Sequence, residues 1–360
     1  MVAGFRCALG LIDDFYTGVG RATVLVGLLT SKEGRMLDAI LVPLDGSVMS
    51  ERAIPYASTF ARHVGGRIIL VHAVQMAADS RNGAKPTEHS VDGPSERLRL
   101  LTHNMRSNGL RAEFATLNSA AGTGIVAAAR RYHTDLIVMA THSRNDLGRY
   151  VFGSATDWVL RHTTVPVMAV SNRADKPWAP TGAPPPRIVV PLDGSELSER
   201  ALITAGELAR ALGAEVVLVR AIESEQYAAK ADPVNDVGDV WNYLAAKGKQ
   251  LVRDGIPVTP NVRFGEPPKV ILDAVDAFDA GLITIATHGR SGLSRLLLGS
   301  QAAAVVRRAT VPVVLVRPTA SGMSVDPAYG QQDALPRDAV AQVPKLSDLA
   351  GRTLFKPGRP

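Results

Sequence analysis

Short, almost wholly apolar runs rich in Val and Ile alternate along this chain with segments whose apolar positions recur every three to four residues. Runs of the first kind predict strands covered on both faces of a parallel sheet, and segments of the second kind predict the helices that cover them. In the first half the pattern predicts strands at 39–44, 67–74, 112–117, 136–140 and 165–170, with helices at 50–64, 95–107, 124–132 and 154–162. Ala53, Ile54, Ala57, Phe60 and Ala61 form one stripe on the first helix, and Gly65-Gly66 ends it. Residues 75–94 lack any period and read as a mobile loop. In the second half strands are predicted at 188–192, 215–222, 258–264, 282–286 and 311–317, and helices at 198–212, 238–254, 268–278 and 300–309. Such alternation predicts a parallel α/β sheet with right-handed crossovers.

The second half repeats the first. Ile40-Leu41-Val42-Pro43-Leu44-Asp45-Gly46-Ser47 returns as Ile188-Val189-Val190-Pro191-Leu192-Asp193-Gly194-Ser195, and Met139-Ala140-Thr141-His142 as Ile285-Ala286-Thr287-His288. Phe152-Gly153-Ser154 returns as Leu298-Gly299-Ser300, and Thr164-Val165-Pro166-Val167 as Thr310-Val311-Pro312-Val313. The offset stays between 146 and 148 residues, the size of a domain, so the chain is a duplicated α/β domain. Domain 1 takes 36–172, a proline-rich, extended connector takes 173–186, and domain 2 takes 187–317. Residues 1–35 show no trustworthy period and read as a poorly ordered extension, or as sequence ahead of a true start at Met36. Past Pro318 the periodicity fades, and 318–360 reads as a largely disordered tail with a short helix near 345–350. The last strand of each repeat is an apolar edge. Pairing one with the other inside the chain removes both edges and makes an internal pseudo-dimer, and homodimerisation stays open.

Composition narrows the function classes. A hydrophobic share of 46% against 21% charged residues supplies each half with its own core. The net charge of +6 raises the question of nucleic acid, but basic residues are scattered among acids and aromatics reach only 5%, so neither a basic stripe nor a stacking set is present. A lone Cys7 excludes an intramolecular disulfide and fits a reducing, cytoplasmic compartment. The longest apolar run near the start, Val24 to Leu29, falls far short of the ~20 residues that span a bilayer. Asp13-Asp14 ahead of it argues against a signal peptide, so a soluble protein is expected.

Candidate chemistry gathers where the strand 282–286 gives way to the helix opening at Ser300. Thr287-His288-Gly289-Arg290-Ser291-Gly292 is rich in residues that let backbone approach a ligand, and Gly299-Ser300 starts a helix whose first N–H groups attract anions. An ordinary strand-to-helix loop with a Gly-Ser cap is the plain alternative. Ligands of open parallel sheets bind beyond the carboxyl ends of the strands, at the switch point. Asp193 ends the first strand of its repeat, so it shares a crevice with the glycine-rich loop if those strands are neighbours. There it can accept from a base or sugar while Arg290 or Arg295 holds phosphates. Asp-Gly-Ser is equally good turn and cap chemistry. His142 and His288 have no ligand-spaced His, Cys or carboxylate nearby and read as loop-positioning residues, so no metal site is expected. No Walker motif and no Ser-His-Asp set is present, so no catalytic residue is assigned.

Val190-Pro191-Leu192-Asp193-Gly194-Ser195, the Thr287–Gly292 loop, Leu296-Leu297-Leu298-Gly299-Ser300 and Val311-Pro312-Val313-Val314-Leu315-Val316, in that order, resemble the universal stress protein family in its tandem form, over about 36–317. The resemblance implies two doubly wound, five-stranded parallel-sheet domains of order 3-2-1-4-5, an adenine nucleotide alpha hydrolase-like fold paired through the last strands, and a division into ATP-binding and non-binding members. The family's ATP pattern is Gly, two residues, Gly, nine residues, Gly, then Ser or Thr. On the second repeat it falls on Ala286, Gly289 and Gly299-Ser300, with Arg290, Gly292 and Gln301 alongside, and it implies that Pro191, Asp193 and Ala221 face adenine and ribose. On the first repeat it falls on Ala140, Ser143 and Gly153-Ser154, with Asp146 inside the loop and Pro43, Asp45 and Ala73 at the sugar side. Ala in place of Gly is a small loss where φ is negative and a serious one where it is positive. The implied function is a stress-response module that binds ATP, ADP or AMP, with Mg²⁺ on the phosphates, mainly in the second repeat. A non-binding dimerisation scaffold and a slow nucleotide hydrolase are the alternatives.

Overall fold

The computed structural model describes residues 37–74, 92–141, 152–175, 186–223, 233–287 and 299–317. Among them the apolar runs of the first repeat form β1 (Ala39–Pro43), β2 (Arg67–Val74), β3 (Arg111–Asn118), β4 (Leu136–Ala140) and β5 (Val167–Val170). Those of the second form β6 (Arg187–Pro191), β7 (Glu215–Ile222), β8 (Val258–Phe264), β9 (Leu282–Ala286) and β10 (Val313–Val316). The helices are α1 (Val48–Glu51), α2 (Ala53–Val64), α3 (Asp92–Ser107), α4 (Ala121–Arg131) and α5 (Ser154–His162), then α6 (Glu196–Leu212), α7 (Pro233–Arg253), α8 (Pro267–Ala277) and α9 (Ser300–Arg308). The expected extension 1–35, the loop after Val74, most of the connector and the tail fall outside the described residues.

All ten strands join one sheet of order β3-β2-β1-β4-β5-β10-β9-β6-β7-β8. Each half is parallel with the order 3-2-1-4-5, and the halves meet antiparallel where Val313, Val314 and Leu315 of β10 pair Ala169, Met168 and Val167 of β5. The two apolar last strands thus cover one another. Side chains alternate across the sheet. Ile40, Val42 and Leu70 join Phe60 of α2 and Leu208 of α6 in one layer, while Leu41, Ile69 and Val71 join Val159 of α5 and Val305 of α9 in the other. Both layers run across the seam, so the two repeats share a continuous core.

Prolines set several boundaries. The ladder between β6 and β9 covers only Ile188–Leu282 and Val189–Ile283, that between β1 and β4 only Ile40–Leu136 and Leu41–Ile137, and β6 and β1 end at Pro191 and Pro43, which have no N–H to donate. The carboxyl ends are thereby left apart at each switch point. Pro166 and Pro312 likewise delay the last strands to Val167 and Val313, two residues later than the apolar run predicts, although their carbonyls accept from Ile137 and Ile283. The first predicted helix is broken at Arg52, because the Pro55 ring would meet the carbonyl of Glu51 in a continuous helix. Ile203 stands at the matching place of the second repeat, and α6 runs unbroken. The connector's first residues are pinned: Ala174 is buried, and its carbonyl accepts from Arg52 and from the Tyr56 hydroxyl.

Candidate functional site

At the carboxyl ends of β6, β7 and β9 a cleft of about 470 Å³ opens between the ends of the strands and the first turns of α6, α8 and α9. Pro191, Asp193, Ala221, Ala286, Gly299, Ser300 and Gln301, far apart in sequence, all line it. Gly289, Arg290 and Gly292 of the same set, with His288, lie outside the described residues.

The Asp193 loop is built by capping chemistry. Gly194 takes φ +83°, which a residue with a Cβ rarely adopts, and turns the chain so that Ser195 caps α6 by accepting from the Ser198 amide. The Ser195 amide and hydroxyl both donate to Asp193 Oδ1, at 2.9 and 2.5 Å. Burial pushes the Asp193 carboxyl up, but the Ser195 hydroxyl and amide, the Ser198 hydroxyl and the charge of Arg220 together hold it below the ordinary carboxylate value. Asp193 therefore presents a full negative charge at neutral pH. Asp45, Gly46 (φ +82°) and Ser47 repeat the same bonds at 2.9 and 2.5 Å in the first repeat, so turn-and-cap chemistry accounts for both copies. Lining the cleft is what Asp193 adds to that role.

The opposite wall is the start of α9. Gly299 is its N-cap, extended at φ −56° and ψ 152°, and no side chain of the described residues caps the helix. The first intrahelical bond runs from Ala303 N to Gly299 O, so the amides of Ser300, Gln301 and Ala302 precede the helical ladder, and the first turn holds no acid. Since φ is negative here, close approach and the absence of a covering side chain are what glycine contributes at 299. Ala286, at the end of β9, is not among the residues with positive φ, and neither is Ala140. Alanine is therefore the mild replacement at both places. Thr287 next to it is already engaged: its amide and hydroxyl both donate to Val316 O, at 2.8 and 3.3 Å, as Thr141 does to Val170 O at 2.9 and 3.4 Å. The Thr of the Thr-His pair ties the loop's start to the last strand.

Charged lining residues that the sequence reading did not assign include Arg220 and Glu223. Arg220, half-buried near the end of β7, donates from Nη1 to Leu192 O at 3.1 Å. Its counterpart His72 meets Leu44 O through Nδ1 at 2.7 Å. The mismatch between the repeats was visible, but only the strand register shows that it falls inside a cleft. Beside it, Tyr243 of α7 donates to Glu199 Oε1 at 3.0 Å and Lys247 to Oε2 at 2.6 Å, fastening α7 to α6. Burial and the Glu199 carboxylate push the Tyr243 hydroxyl well above its ordinary value, so it stays a neutral donor.

In the first repeat Pro43, Asp45, Ala73 and Ala140 occupy the matching strand ends, and Gly153 and Ser154 open α5; Ser143 and His142 lie outside the described residues. Two features differ. The first turn of α5 carries Asp157, paired with Arg161 at 2.9 Å, where α9 has Ala303, and His72 stands for Arg220. An acid in that turn opposes an incoming anion. Among the described residues no group of His, Cys, Asp and Glu is arranged to hold a metal ion, and no helix is long and apolar enough to cross a membrane.

Comparison with known proteins places these features. A universal stress protein of Mycolicibacterium smegmatis is 23% identical over 298 residues, covering 78% of this chain and 97% of its own. Universal stress protein Rv2005c of Mycobacterium tuberculosis is 27% identical over 187 residues, which is 51% of this chain and 62% of that one. The crystal structure of a universal stress protein from Archaeoglobus fulgidus superposes with a TM-score of 0.55 at 23% identity, over 78% of this chain and 96% of its own, and has the same fold. The model of the universal stress protein family matches residues 36–171 and again 185–317. With both halves of its sheet matched, the chain belongs to the universal stress protein family, as a tandem of two of its domains.

Proposed function

We propose that the second repeat binds an adenine nucleotide, ATP, ADP or AMP, and that the chain acts in the cytoplasm as a nucleotide-responsive module of a stress response. The observation that carries this reading is the convergence of Pro191, Asp193, Ala221, Ala286, Gly299, Ser300 and Gln301 on one cleft. The α9 amides and the positive end of its dipole receive phosphate, helped by Arg290 and Gly292 of the loop between Thr287 and Gly299. Asp193, charged and held by Ser195, accepts from ribose hydroxyls or the base amino group, and any Mg²⁺ arrives on the phosphates. The first repeat binds weakly or not at all, since Asp157 occupies the first turn of α5. The two domains, 36–172 and 187–317 with the connector 173–186, act as one internal pseudo-dimer. Phosphate bound at the start of α9 alters the surface offered to partners.

No assigned base or nucleophile supports turnover, so hydrolysis is at most slow. A non-binding scaffold is favoured by one observation, the engagement of the Thr287 amide by Val316, which removes one donor from the loop. Equilibrium dialysis of the full chain against ATP, ADP and AMP tests the reading: about one nucleotide per chain is expected, and no retention of any of the three leaves the scaffold.

A further inference from the structure

We infer that Arg220 gives the second repeat's cleft a second anion subsite, and that the nucleotide it takes carries a phosphate on a ribose hydroxyl as well as at the 5′ position. The inference rests on the nucleotide reading above and narrows its ligand class. Arg220 alternates onto the β7 face of Val216 and Leu218, which pack in the layer of α6 and α7, while Ala221 shares the face of Val217 and Val219 with α8 and α9. The α9 amides and the Arg220 guanidinium therefore stand on opposite walls of one cleft that both line.

The guanidinium is half-buried and permanently charged. It makes one hydrogen bond, to Leu192 O, and no ion pair among the described residues. Among the described residues one of its five N–H donors is used. The fold does not require the charge, because His72 satisfies the matching carbonyl of Leu44 with an imidazole nitrogen. Asp193 lies within electrostatic reach of Arg220 but forms no ion pair with it among the described residues, and its Oδ1 is taken by the amide and hydroxyl of Ser195. A partly desolvated cation with unused donors in a cleft suits an oxyanion with two oxygens for its fork. The vicinal hydroxyls of a ribose supply the geometry: one, free, donates to Asp193, and its neighbour, phosphorylated, reaches Arg220.

Calorimetric titration of the full chain with AMP, adenosine 2′,5′-bisphosphate and adenosine 3′,5′-bisphosphate tests this. At least one bisphosphate is expected to bind about tenfold or more tightly than AMP, the scale of one charge-assisted contact. Arg220→His, which keeps the carbonyl contact that His72 makes, is expected to bring that ratio close to one, and Arg220→Lys to retain part of it. AMP binding with no bisphosphate preference, or a preference that survives Arg220→His, overturns the inference and leaves the nucleotide reading standing. Failure of all three ligands to bind overturns both. If Arg220→His fails to fold, Arg220→Lys carries the comparison, and a preference undiminished in it overturns the inference.

Discussion

Trp158 of α5 lies so close to Gly122 of α4 that a Cβ built on the glycine would fall 2.5 Å from the indole. The matching positions of the second repeat hold Pro268 and Ala304. In the first repeat α4 and α5 therefore pack through a matched small and large pair. Gly122→Ala is expected to cost about 1–3 kcal/mol through overpacking, partly offset by better helix propensity. Trp158→Ala in the same chain should recover much of that loss, and urea denaturation of the two single variants and the double variant measures the coupling. Additive losses would mean that the two side chains do not share the space.

Thr284 is fully buried in the middle of β9, and its hydroxyl has no hydrogen-bond partner among the described residues. Val138 fills the matching position of β4. Thr284→Val keeps the shape and removes the unsatisfied oxygen, so it is expected to stabilise the protein by about 1 kcal/mol. Chemical denaturation checks this, and a destabilised variant would reveal a buried water on that hydroxyl.

Two carboxyls shift in opposite directions and give opposite pH responses. Burial pushes Glu207 of α6 up, Arg210 pulls against it, and Asp135 across the seam adds to the rise. In the window above the ordinary carboxylate value the folded state holds more protons at Glu207 than the unfolded state, so stability falls as pH rises through it. Glu207→Gln is expected to be more stable than the parent at pH 7, by less than about 1 kcal/mol for a partly exposed group. Melting temperatures of the two proteins should converge as pH falls below the ordinary carboxylate value, and a constant gap from pH 4 to 8 would contradict the assignment.

Asp193 behaves the other way. Its lowered pKa contributes stability that is present above the ordinary carboxylate value and is lost as pH falls through the folded one. Ser195→Ala removes the α6 cap and the hydroxyl that holds Asp193, and is expected to cost about 1 kcal/mol and to flatten the acid side of the stability profile. A variant as stable as the parent with an unchanged acid limb would show that the cap contributes nothing.

How far these features can be read from residues alone follows from their range. β2, β4, β7, β8, β9 and α5 stand where the apolar pattern puts them, because each is a strong local signal. The break at Arg52 is local too, written in Pro55, but a stripe of apolar residues masks it. Arg220 is different in kind: its place in a cleft depends on β7 lying beside β6 and on which face residue 220 takes, and both are long-range facts. Asp193 shows why a motif alone was ambiguous, since the turn, the cap and the cleft wall use one carboxylate.

The central claim is that the start of α9, where the N-cap is a glycine, receives the phosphates of one nucleotide per chain. Gly299→Asp tests it most directly, because the backbone at 299 already suits a capping residue and the new carboxylate would take the amides that phosphate needs. Calorimetric titration with ATP should show one site per chain in the parent and a loss of about tenfold or more in affinity in Gly299→Asp, with a melting temperature equal to or above the parent's. Two equal sites in the parent, or undiminished ATP binding by Gly299→Asp, would contradict the account.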